Sequence, residues 1–100
     1  MSTEVAEVLS LAAQHPGGIK LVVQGSMPGQ LVVTSLGDRS PLQKFNSGQR
    51  LWIALQDSAK ITTEQLESEL TGPGGKRFKV TMHPICGKAK KATIDIIPIA

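Results

Sequence analysis

Apolar residues at Val5, Val8, Leu9 and Ala12 recur three and four apart, the spacing that places side chains on one stripe of a helix. Ser2 or Thr3 can cap that helix, and Glu4 and Glu7 sit where the helix dipole favours an acid. The pattern predicts an amphipathic helix over 3–14. It ends at "HPGG", residues 15–18, because Pro16 lacks the N–H a helix needs and disfavours helical geometry at His15.

The pattern then changes period. "IKLVVQ" (19–24) and "QLVVTSL" (30–36) are rich in β-branched residues and flank the turn set "GSMPG" (25–29), which predicts a hairpin. Ile19, Leu21 and Val23 would share one face with Leu31 and Val33, while Val22 and Val32 lie on the other. Both faces are partly apolar, so the pair belongs inside a sheet. "LQKFNSGQ" (42–49) fits either a loop or an edge strand. "RLWIALQ" (50–56) is too short for periodicity to decide, and Trp52 and Ile53 favour a strand. Thr62 followed by Gln65 makes a capping box, predicting a short helix over about 62–70 that ends at Gly72. "KRFKVTM" (76–82) alternates, with Phe78, Val80 and Met82 inward and Arg77, Lys79 and Thr81 outward. "ATIDIIPI" (92–99) reads as a last strand, with Pro98 at its end.

This order predicts one small α+β domain over residues 1–100. Its mainly antiparallel sheet would have about four to five strands, with the N-terminal helix and the second short helix on one face. Composition agrees: 40% of residues are apolar and 19% charged, outside the range of disordered chains. Phe45, Phe78 and Trp52 are the only aromatics, so aliphatic side chains must fill the interior. The lone Cys86 cannot form an intrachain disulfide, and "MSTEVAEVLS" has acids where a secretory signal is basic. A reducing, cytoplasmic setting is expected. No run approaches the roughly eighteen apolar residues of a membrane span, so no membrane association is expected.

Charge changes the picture more than composition does. The net charge of +3 is unevenly spread: up to Gly75, five Lys/Arg face seven acids, whereas from Lys76 onward six Lys/Arg face only Asp95. All six lie in "KRFKVTMHPICGKAKK" (76–91), as Lys76, Arg77, Lys79, Lys88, Lys90 and Lys91, with no acid among them. Such a local field attracts anionic partners.

Other chemistry is weakly supported. "GPGGKR" (72–77) lacks the spacing and the hydroxyl of a phosphate-binding loop, and fits a glycine-rich connection. His83 and Cys86 form H-x-x-C, but His15 is the only other ligand of that kind, too few for a zinc site within one chain. Cys86 lacks a readable orienting group and oxyanion site, and no carboxylate pair suggests acid–base work. No catalytic residues, metal or cofactor are therefore expected, and the chain reads as a non-enzyme.

The basic segment remains. Arg77 and Lys79 along a strand, with Lys88, Lys90 and Lys91 in the following loop and Lys76 at the root, would form a ribbon that tracks phosphates. Without aromatic platforms it would hold the backbone of a nucleic acid rather than stack bases. The alternative is an assembly or accessory protein using the same face against an acidic protein. A homodimer formed through the N-terminal helix or "IIPIA" would double the basic surface.

Overall fold

The computed structural model describes residues 3–24, 29–84 and 92–99. In chain order these form helix α1 (Thr3–Ala13), strands β1 (Ile19–Gln24), β2 (Gln30–Ser35) and β3 (Pro41–Phe45), and helix α2 (Gly48–Ala59). Strands β4 (Glu67–Thr71), β5 (Arg77–His83) and β6 (Thr93–Pro98) follow. The six strands make one sheet in the order β3-β2-β1-β6-β5-β4, antiparallel at every step. It consists of two three-stranded meanders, β1–β3 and β4–β6, joined where β1 meets β6. The α+β class is as expected, with six strands rather than four to five.

α1 buries Val5, Val8, Leu9 and Ala12, the stripe read from the sequence. The expected hairpin is β1–β2, in register with Leu21 opposite Val33 and Val22 opposite Val32. Of its turn, Gly29 is described and 25–28 lie outside the described residues. The inward set, Ile19, Leu21, Leu31, Val33, Phe45, Leu70, Phe78, Val80, Ile94 and Ile96, is buried against the two helices. Fully burying one such side chain is worth about 1.5–3 kcal/mol, so this one-sided core is the main source of stability.

Two element expectations are corrected. Residues 50–56 belong to a helix, not a strand: Gly48, Leu51, Leu55 and Ala59 are buried along one stripe, visible only when the window extends past both ends of the apolar run. Gly48 allows α2 to start hard against β2, since a Cβ there would lie 2.8 Å from the Gln30 carbonyl carbon and the Leu31 nitrogen. Lys60, left-handed at φ 57°, closes the helix: its N–H donates to the Asp57 carbonyl and the Ile61 N–H donates to the Gln56 carbonyl.

The second correction concerns 62–70, which is a turn followed by β4. The Gln65 N–H does donate to the Thr62 hydroxyl at 2.9 Å, as the capping box required. The Gln65 side chain, however, donates to the Glu67 carbonyl rather than reaching back to the cap. The same local bond thus closes a turn, and the chain leaves it extended to pair with β5. Of "LQKFNSGQ" (42–49), which fits either a loop or an edge strand, residues 42–45 belong to the edge strand β3, and Gly48 and Gln49 open α2.

Candidate nucleic-acid interface

Both helices cover one face of the sheet, and the other face is uncovered. Its charged groups come from alternate positions of the strands, opposite the buried set. On β5, Phe78 and Val80 are buried while Arg77, Lys79, Thr81 and His83 point outward. This is the alternation expected from "KRFKVTM".

What the sequence reading missed is the strand beside it. β4 turns Glu67 and Glu69 to the same face, with Glu69 opposite Lys79 and Glu67 opposite Thr81. Diagonal ion pairs result: Arg77 Nη2 lies 3.2 Å from Glu69 Oε2, and Lys79 Nζ lies 3.4 Å from Glu67 Oε1. All four side chains are about half exposed or more, so each pair contributes only about 0–1 kcal/mol and a competing anion can displace it. Two of the six expected cations are nonetheless matched by acids at rest. Lys76 is exposed, just ahead of β5, beside a concavity of about 290 Å³ that it shares with Ser10, Gln14 and Phe78. Lys88, Lys90 and Lys91 lie outside the described residues, in the segment that leaves β5 after His83 and enters β6 at Thr93.

His83 and Asp95 are a second feature that the sequence did not reveal. His83 Nε2 lies 2.8 Å from Asp95 Oδ2, diagonally across the β5–β6 ladder in which His83 faces Thr93 and Thr81 faces Asp95. The imidazole makes a hydrogen bond when neutral and an ion pair when protonated. Asp95 is only 16% exposed, and its Oδ1 is buried with no hydrogen-bond partner among the described residues. Both residues sit at outward positions of two adjacent alternating strands, which is the signal that could have joined them. Cys86 lies outside the described residues. Among the described residues, no three His, Cys, Asp or Glu side chains converge as metal ligands would.

On β1 and β3, two further cations share the uncovered face: Lys20, between buried Ile19 and Leu21, and Lys44, next to buried Phe45. Neither makes an ion pair among the described residues. Asp38 lies in the turn after β2. Its carboxyl is held below the usual carboxylate range, chiefly by the Ser40 N–H, then by the Ser40 and Ser35 hydroxyls. No helix among the described residues is long and apolar enough to cross a membrane. The aromatics offer no platform on the uncovered face, since Phe45 and Phe78 are buried and Trp52 packs against the core from α2. No family model matches the sequence, and no characterised protein or solved structure is significantly similar to it.

Proposed function

We propose that this chain is a non-enzymatic nucleic-acid-binding protein that contacts the phosphate backbone through its basic C-terminal segment, residues 76–91. The observation that carries this reading is the placement of six cations and no acid in that segment, against an excess of acids before it. In this reading the cations take two roles. Lys76, Lys88, Lys90 and Lys91 are the primary phosphate contacts. Arg77 and Lys79 join by exchanging exposed carboxylates for phosphates, a trade between weak surface pairs. The lack of an aromatic platform favours backbone contact over base stacking, and hence weak dependence on sequence. The single cysteine is in keeping with a reducing, cytoplasmic setting.

The test is binding of unrelated duplex and single-stranded oligonucleotides across a salt series, with Lys88→Ala/Lys90→Ala/Lys91→Ala as the comparison. Three lost phosphate contacts should lower the slope of log affinity against log salt by about 2.7 on duplex. Absence of binding by the unaltered chain at low salt sinks the proposal.

A second reading is favoured by one observation. Val22 and Val32 sit among the charges of the uncovered face, and Ile97 there is 36% exposed. An apolar and basic surface of that kind suits an acidic protein partner, or a second copy of the chain. Retention of an acidic protein without oligonucleotide binding would select this reading, and the mass of the protein in solution would identify a dimer.

A further inference from the structure

We propose that Asp95 positions His83 as a further contact to the nucleic-acid backbone, one made only when the imidazole is protonated, so that binding strengthens in mild acid. This rests on the proposed nucleic-acid binding and gives the same segment a regulation by pH. His83 lies inside the basic segment and is the last residue of β5. It continues the outward row of Arg77, Lys79 and Thr81, in which every second residue is about 6.4–6.8 Å from the last. About half of its side chain is exposed, as with Arg77 and Lys79. A backbone that follows the strand past those two cations therefore reaches the imidazole.

Asp95 decides what the ring can offer. An ionised carboxylate only accepts hydrogen bonds, so the 2.8 Å contact between His83 Nε2 and Asp95 Oδ2 puts the proton of the neutral ring on Nε2. Nδ1 is then a bare acceptor, of no use to a phosphate oxygen. Protonation adds a hydrogen at Nδ1 while Nε2–H keeps its bond to Asp95, and Nδ1 becomes a charged donor. The phosphate contact thus exists in one protonation state only.

The neighbouring charges allow that gain. Lys20 of β1 stands directly opposite Asp95, so the aspartate is countered from its other side, and a proton on His83 leaves the three residues with a net positive charge. On β4, Glu67 stands opposite Thr81 and diagonal to His83, but its carboxylate lies 3.4 Å from Lys79 Nζ. Glu69 is farther along and lies 3.2 Å from Arg77. Glu64 is exposed in the turn before β4. Lys44 is at the far end of the row that runs from His83 through Thr93, Val22 and Val32. Both helices lie on the opposite face. Cys86, Lys88, Lys90 and Lys91 lie outside the described residues.

The experiment is anisotropy of one labelled duplex titrated with the full chain between about pH 7.5 and about pH 5.5, the range over which imidazole changes charge. One phosphate contact adds about 0.9 to the salt slope, which at about 0.1 M salt is about eightfold in affinity. The unaltered chain should therefore bind up to about eightfold more tightly at the lower pH, with a slope steeper by up to about 0.9. His83→Gln, an exposed substitution that leaves the fold intact by circular dichroism, should remove the gain. His15→Gln should keep it, since His15 is the only other histidine and precedes β1 at the end of the sheet away from His83. Asp95→Asn keeps an acceptor for Nε2–H but drops the charge that favours the imidazolium, and should move the midpoint of the gain to lower pH. An unmoved midpoint in Asp95→Asn overturns the positioning role. Salt-dependent binding that is equal at both pH values, or a gain that survives in His83→Gln, overturns the pH-dependent contact and leaves the basic segment standing. No binding by the unaltered chain at either pH overturns both.

Discussion

The two meanders of the sheet carry charge in opposite ways on their uncovered side. In β4–β6, acids and bases alternate and close on one another, through Arg77 with Glu69, Lys79 with Glu67 and His83 with Asp95. In β1–β3, Lys20 stands opposite Asp95 of β6, and Lys44, opposite Val32, has no acid across from it. On this face β4–β6 thus matches its charges internally, whereas β1–β3 carries one cation, Lys44, with no acid across from it. Charge available to a partner is what remains after strand pairing has matched neighbours, not what a count along the chain suggests.

The largest expected effect separates fold from charge. Leu21→Ala, on the covered side of β1, should cost about 2–5 kcal/mol in urea unfolding, since it opens a cavity in a fully buried site. Lys20→Ala, one residue away and facing outward, should stay within about 0.5 kcal/mol of the parent. A large loss for Lys20→Ala would give that lysine a structural role and blur the contrast between the meanders.

Next comes an attempt to erase the contrast. Glu67→Gln/Glu69→Gln frees Arg77 and Lys79, and should steepen the salt slope of duplex binding by up to about 1.8. Stability should fall by no more than about 1–2 kcal/mol for the two exposed pairs together. If affinity and slope do not move, Arg77 and Lys79 lie off the path of the nucleic acid.

A smaller effect concerns the pair nearest the centre of the sheet. A double-mutant cycle on His83→Ala and Asp95→Ala should give a coupling of about 0.5–1.5 kcal/mol, because the single His83→Ala variant leaves a mostly buried carboxylate without its bond. Additive single effects would mean that the contact is incidental.

The smallest lies in acid. Asp38 is held below its ordinary value in the folded state, so its contribution is complete above the unfolded value of about 3.9 and is lost as the pH falls through the folded one. The difference in urea midpoint between the parent and Asp38→Ala should therefore be constant near neutrality and narrow below about pH 4. A difference that persists unchanged at lower pH would assign it to the turn's shape rather than to the carboxylate's charge.

Much of the covered side was legible because its signal is repetitive. α1 shows its stripe within one window, and β1, β2 and β5 alternate over their whole length. α2 was hidden because its stripe is anchored by Gly48 and Ala59, which scarcely register as apolar and lie beyond "RLWIALQ". β4 was hidden by a correct local inference, since Thr62 does bind the Gln65 N–H but the bond serves a turn. That misreading carried into the site. With 62–70 taken as a helix, its acidic face of Glu64 and Glu67 reads as solvated, and Arg77 and Lys79 read as unopposed. Cross-strand partners are set by register, which local spacing does not encode, so the ion pairs of β4–β5 could not be read from the chain, and of the His83–Asp95 contact only the shared outward face could. Lys44 could not be placed on a face, because 42–49 fits either a loop or an edge strand.

The central claim, that unmatched cations of this domain hold nucleic-acid phosphates, is tested most directly by the affinity of the unaltered chain for one duplex at salt concentrations from about 50 to about 200 mM. The account predicts a linear fall of log affinity with log salt, with a slope between about −3.6 and −5.4, as expected for four to six phosphate contacts. No binding at the lowest salt, or an affinity indifferent to salt, would contradict it.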